Sequence, residues 1–217
     1  MEIVRCKTKE EASAKAVAGL NYLFREIKGP ILFLSSGGSS LGLLDGLELG
    51  DRITVSVLDE RYNADPRINN FSQLMNHVNP TKFIDTRMQE GETLEGLAVR
   101  FEKALRSWKN QNPSGTIIIT QGMGSDGHTA GIMPDSMVDD PAQWVIGYNA
   151  KEKNEYPLRV TCTFSFLRTV DHSIAYITGQ KKKEAFNRVL AEEGTLEEMP
   201  ARIMREMGNV KIFTDIV

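Results

Sequence analysis

The run Ile31 to Ser40, ILFLSSGGSS, decides the fold class. Its first four residues are apolar without alternation, the pattern of a strand covered on both faces. Gly29-Pro30 stops the helix that precedes it, and a glycine- and serine-rich loop follows. Upstream, Thr8 to Lys28 carries Ala16, Leu20, Leu23, Phe24 and Ile27 at helical spacing, and Thr8 with Glu11 fits a capping box. The alternation recurs downstream. Leu41 to Leu47 reads as a short helix, Ile53 to Leu58 as a strand and Leu94 to Trp108 as an amphipathic helix. Thr116 to Thr120 is a β-branched strand. Trp144 to Tyr148, Arg159 to Thr163, Ser173 to Thr178 and Val210 to Phe213 read as further strands. Gln180 to Glu193 reads as a helix ending at Gly194. Helices alternating with short apolar strands predict an α/β fold, a mostly parallel sheet flanked by helices in a Rossmann-like, three-layer arrangement. No linker or repeat divides the chain, so residues 1–217 are expected to form one domain.

Composition narrows the function classes. The chain has 217 residues, of which 41% are hydrophobic and 25% charged, with a formal net charge of −3. That is the balance of a globular domain, with no general basic field for nucleic acid. Two cysteines, Cys6 and Cys162, make no disulfide scaffold, and three scattered histidines suggest no structural zinc. Apolar runs fall far short of the ~20 residues that span a bilayer. The expectation is a cytoplasmic protein without a membrane or nucleic-acid partner.

In a parallel α/β sheet ligands bind beyond the carboxyl ends of the strands, so the residues just after each strand matter most. Three such places stand out. SSGGSS, Ser35 to Ser40, is either a tight turn or an anion cradle of backbone N–H groups and hydroxyls. LDERYN, Leu58 to Asn63, is either a solvated charge cluster or the edge of a site. The third is TQGMGSDGHTAGIMP, Thr120 to Pro134. Gly122, Gly124 and Gly127 satisfy G-x-G-x-x-G, but the dinucleotide fingerprint needs a following helix and an acid about 20 residues on, and Gly131 and Pro134 oppose the helix. What remains is a glycine-rich loop presenting Asp126 and His128 over the sheet edge. His77 and His172 read as packing or surface residues.

The three segments in this order resemble the 6-phosphogluconolactonase family, whose fold is shared with the glucosamine-6-phosphate deaminases. The S-G-G-S-T-P loop of the family matches Ser36, Gly37, Gly38, Ser39 and Ser40. Its D-E-R element matches Asp59, Glu60 and Arg61, and the asparagine that follows matches Asn70. Its G-M-G-x-D-G-H-T-A-x-x-x-P signature matches Gly122 to Pro134 at every fixed position. Downstream, an R-[IV]-T strand matches Arg159 to Thr161, a V-x-G-x-x-K element sets the family lysine at Lys182 between Lys181 and Lys183, and a P-A-R turn matches Pro200 to Arg202. Leu41 stands where the family has proline, and nineteen positions separate Ser40 from Asp59, a shortened span. The deaminases carry a glutamate before the proline of the histidine loop; this chain has Met133 there, which cannot carry a proton.

The resemblance implies hydrolysis of 6-phospho-D-glucono-1,5-lactone to 6-phosphogluconate, in the oxidative pentose phosphate pathway, with no metal and no cofactor. A phosphorylated sugar lactone is then the partner, and the protein a monomer or small homo-oligomer. Neutral His128 is expected to act as general base on water, oriented by Asp126 or Asp59. Glycine-loop N–H groups, Gly124 among them, are candidates for the oxyanion. Gly37, Gly38, Ser39 and Ser40 are expected to hold the substrate together with Arg61, Arg159 and Lys182, the last two facing its phosphate. The alternatives are a glucosamine-6-phosphate deaminase-like enzyme and a non-catalytic phosphosugar binder.

Overall fold

The computed structural model describes residues 1–136, 138–151 and 154–217. Its elements run β1 (Glu2–Arg5), α1 (Lys9–Glu26), β2 (Ile31–Ser35), β3 (Ile53–Val57), β4 (Asp59–Arg61), α2 (Asn70–Met75), β5 (Lys82–Phe83), α3 (Leu94–Gln111), β6 (Thr116–Gln121), β7 (Val145–Asn149), β8 (Leu158–Cys162), α4 (Phe164–Leu167), β9 (His172–Tyr176), α5 (Lys183–Leu190) and β10 (Asn209–Thr214). Thr8 caps α1, its hydroxyl accepting the Glu11 N–H at 3.1 Å, while Glu11 reaches back to the Lys7 N–H at 2.7 Å. Both halves of the box are present, shifted by one residue at the second.

Seven strands form one parallel sheet in the order β1-β10-β9-β6-β2-β3-β5. In β2 successive side chains enter opposite cores, as the pleat requires. Ile31 and Phe33 pack with α1 residues Leu20 and Phe24; Leu32 and Leu34 pack with α3 residues Leu97, Phe101 and Leu105. All five β2 residues are fully buried, which is why the strand needs no polar face. Among the described residues no helix is long and apolar enough to cross a membrane.

Two expectations change. Residues after Ser36 do not wait until Leu41 to turn; a 3-10 segment covers Gly38–Gly46. The C-terminal helix is shorter than Gln180 to Glu193, opening with a 3-10 turn at Gln180–Lys182 and closing at Leu190. The guanidinium of Arg202 ends it by donating to the carbonyls of Arg188, Ala191 and Glu192 at 2.7, 2.9 and 3.1 Å. Arg202 of the P-A-R turn is thus a buried helix cap.

The strands at β7 and β8 leave the main sheet. With β4 they make a separate antiparallel sheet in the order β4-β8-β7. This small sheet rises past the carboxyl end of β3 and walls one side of the space above β2 and β6. Those two neighbours lie where the order of the main sheet reverses, β2 leading outward to β3 and β6 to β9, and that is where an open α/β sheet leaves a crevice.

Candidate active site

Hydrogen bonds between the starts of the two loops shape the crevice. The Ser36 N–H donates to Thr120 Oγ1 at 2.9 Å, and Ser36 Oγ donates to the Thr120 carbonyl at 3.0 Å. Beyond β6 the chain makes a tight loop instead of a helix. Gly124 N–H donates to the His128 carbonyl at 2.9 Å, Gly127 N–H to the Gly124 carbonyl at 3.1 Å, and Thr129 Oγ1 to the Gly122 carbonyl at 2.7 Å. The glycines of the G-x-G-x-x-G pattern therefore build a histidine loop and not a dinucleotide site. Ala201 N–H donates to the Gly127 carbonyl at 3.0 Å, so the P-A-R turn supports that loop from behind.

Above these loops lies a cavity of about 420 Å³. Gly37, Gly38 and Ser39 line one side, Gly124 and His128 another, and Asp59, Arg61, Asn70, Arg159 and Lys182 complete the wall. Two residues expected at the site do not line it. Ser40 is fully buried beneath the floor, where its hydroxyl faces Gly122. Asp126 stands behind His128, its Oδ1 2.7 Å from His128 Nδ1. That contact is possible because residue 124 has no side chain: a Cβ there would lie 2.2 Å from His128 Nδ1 and 2.3 Å from Asp126 Oδ1. Burial opposes ionisation of Asp126, but hydrogen bonds and charge from His128 outweigh it and hold the carboxyl below its ordinary range. A carboxylate on Nδ1 keeps the proton there and leaves Nε2 with its lone pair, the tautomer suited to taking a proton.

Asp59 does not share that duty. Its Oδ2 receives Arg159 Nη1 at 3.2 Å and Asn70 Nδ2 at 3.3 Å. The strand pleat explains the whole D-E-R element. In β4, Asp59 and Arg61 fall on one face, opposite Thr161 and Arg159 of β8, while Glu60 points the other way. There Glu60, fully buried, accepts the N–H groups of Arg61, Asn70 and Phe71 at 2.7, 2.6 and 3.0 Å and Thr86 Oγ1 at 2.9 Å. Burial is the first cause that pushes its carboxyl up, to about 7, against those hydrogen bonds.

The cations differ in how free they are. Arg159 is 5% exposed and held on three sides, by Asp59, by the Tyr156 carbonyl at 2.9 Å and by Asn154 Oδ1 at 2.7 Å. Arg61 donates to the Ile68 carbonyl at 3.2 Å and stacks on the Tyr156 ring, 5.2 Å from its centre. Lys182 is half-buried; burial first, then nearby Lys9, push its ammonium below the usual lysine range, while Asp215 acts the other way. Asn154 and Tyr156, which line the cavity and hold both arginines, carry no sequence signal, lying in an irregular loop without a motif.

Residues 28–213 match the family described as glucosamine-6-phosphate isomerases/6-phosphogluconolactonase. The chain belongs to this family. A 6-phosphogluconolactonase of Rhizobium meliloti is 28% identical over 166 residues, 70% of this chain and 68% of that protein. A probable 6-phosphogluconolactonase of Dictyostelium discoideum is 26% identical over 97 residues, 44% of this chain and 41% of that protein's length. The solved 6-phosphogluconolactonase of Trypanosoma cruzi superposes with a TM-score of 0.85 at 21% identity, over 98% of this chain and 93% of the other. A monomeric glucosamine-6-phosphate deaminase superposes with a TM-score of 0.81 at 19% identity, over 99% and 97%. At those identities the superpositions establish the family fold, and both activities occur on it.

Proposed function

We propose that this protein hydrolyses 6-phospho-D-glucono-1,5-lactone to 6-phosphogluconate, with His128 as general base. The observation that carries the reading is the Asp126–His128 pair at 2.7 Å on the rim of a polar cavity that also contains Arg61, Arg159 and Lys182. Nε2 of His128 takes a proton from water as the oxygen bonds to the lactone carbonyl carbon. The carbonyl becomes a tetrahedral oxyanion, served by backbone N–H groups of the glycine loops. Collapse breaks the ring C–O bond, and the imidazolium returns its proton to the departing alkoxide. A base so positioned contributes about 10²–10⁴ in rate.

Lys182, the Ser39 hydroxyl and the N–H groups of Gly37 and Gly38 hold the phosphate, and Arg159 adds charge without being free to wrap it. Arg61 faces the sugar edge. Met133, a buried thioether lining the same cavity, supports hydrolysis over deamination, since it neither gives nor takes a proton. The reading takes 1–217 as one catalytic unit, a monomer or small homo-oligomer, and its low cysteine content supports placing it in a reducing compartment, the cytoplasm.

The test is hydrolysis of freshly prepared lactone above its spontaneous background, by wild type and His128→Ala. A wild-type rate lost in the variant is expected, unchanged by a metal chelator. No wild-type rate with 6-phosphogluconate still bound would select a phosphosugar binder, and ammonia release from glucosamine 6-phosphate would select a deaminase.

A further inference from the structure

Asn70 is 2% exposed and lines the cavity, yet no described residue donates a hydrogen bond to its Oδ1. The side chain is not free to turn. Its Nδ2 donates to the Asp59 carbonyl at 2.9 Å and to Asp59 Oδ2 at 3.3 Å. Turning the amide over would set Oδ1 against two acceptors, so its orientation follows from the hydrogen bonds alone. The main chain is held as firmly, its N–H donating to Glu60 Oε1 at 2.6 Å, and Asp59 is itself fixed by Arg159. The amide lies against the glycine loop: a Cβ on Gly37 would stand 2.7 Å from Oδ1. A buried acceptor without a donor is destabilising by about 1–3 kcal/mol, a penalty that a ligand O–H removes.

We propose that Asn70 is a specificity-determining residue whose Oδ1 accepts a hydrogen bond from one ring hydroxyl of the sugar. This rests on the lactonase reading and deepens it. The acceptor character decides what it meets. A phosphate dianion has no hydrogen to offer and would repel Oδ1, so the atom addresses the sugar and not its phosphate. The chain Arg159–Asp59–Asn70 then gives Asp59 a positioning duty, aiming an amide, in place of the orientation of His128.

The experiment compares kcat/KM for the phosphorylated lactone with that for three analogues, each lacking one ring hydroxyl, in wild type and Asn70→Ala. Wild type is expected to disfavour one analogue by about tenfold or more, the equivalent of a hydrogen bond with the acceptor left unpaired. Asn70→Ala is expected to lose that preference while keeping its ranking of the other analogues. Because each comparison lies within one variant, a lower folded fraction does not alter it. Should Asn70→Ala yield no soluble protein, Asn70→Ser retains a hydroxyl on the shorter side chain and removes the amide oxygen from the place where Oδ1 stood. Equal losses on all four substrates would overturn the assignment and make Asn70 a structural residue, leaving the lactonase reading intact. A wild type that neither hydrolyses the lactone nor binds 6-phosphogluconate would overturn that reading and this assignment with it.

Discussion

Asp126 Oδ1 and His128 Nδ1 stand 2.7 Å apart, two residues from each other in one loop, so that the base and the group that orients it move as a unit. Asp126→Asn preserves size, removes the carboxylate charge and replaces one of its two acceptor oxygens with an N–H donor. An amide N–H facing Nδ1 favours the opposite tautomer, with the proton on Nε2, where a base needs a lone pair. The expected result is a fall in kcat of about 10²–10⁴ with KM changed little. Steady-state kinetics on the lactone checks it; a variant altered in KM alone would assign Asp126 to binding.

Gly124 gives a second handle on the same pair. Its backbone is not in the left-handed region, so alanine brings no conformational strain. What it brings is a Cβ 2.2 Å from His128 Nδ1 and 2.3 Å from Asp126 Oδ1. Both side chains must move, and misplacement by about 1 Å is enough to lose on the order of 10² in rate. Gly124→Ala should therefore lose kcat while its thermal midpoint stays near that of wild type. A folded variant of normal activity would mean that the pair is not needed in this geometry.

The family resemblance pairs Arg159 and Lys182 as phosphate ligands, and their surroundings separate them. Arg159 forms a buried ion pair with Asp59, both side chains under one-tenth exposed. Arg159→Ala leaves the carboxylate uncompensated, and roughly 3–5 kcal/mol of stability should be lost. Among the described residues Lys182 forms no such ion pair, and burial already disfavours its charge. Lys182→Ala should leave urea unfolding unchanged and raise KM for the phosphorylated lactone far more than for the unphosphorylated one. Equal effects on the two lactones would remove Lys182 from the phosphate site.

The main sheet was legible because β2, β3 and β6 are buried on both faces and carry mostly apolar residues, with Ile31 to Leu34 and Ile117 to Ile119 apolar without a break. The histidine loop was legible because glycine, aspartate and histidine follow such a strand. The D-E-R element was not. Three residues are too few to reveal a period of two, and the partner strand that makes them a strand contributes Arg159, 100 positions from Asp59. With the pleat unseen, Asp59 reads as a second candidate to orient His128 and Glu60 as surface charge. Pairing with β8 sends Asp59 and Arg61 into the cavity and Glu60 into the interior. Asn154 and Tyr156 were illegible for a related reason: their function lies in contacts with arginines that the sequence does not show to be near.

Glu60 supplies a pH signature for that interior. Its carboxyl is raised from 4.5 to about 7 in the folded protein, burial being the leading cause. Between those values the folded state holds a proton that the unfolded chain has released, so this group's contribution to stability is full below about 4.5 and declines as pH rises through about 7. The span corresponds to at most about 3 kcal/mol. Glu60→Gln does not titrate and offers one acceptor where four donors converge, so it is less stable than wild type and lacks this slope. Urea unfolding of both proteins at pH 5 and pH 7.5 should show the wild-type advantage shrinking at the higher pH. An advantage that grows instead would mean that the four donors hold Glu60 ionised, with its carboxyl lowered and not raised.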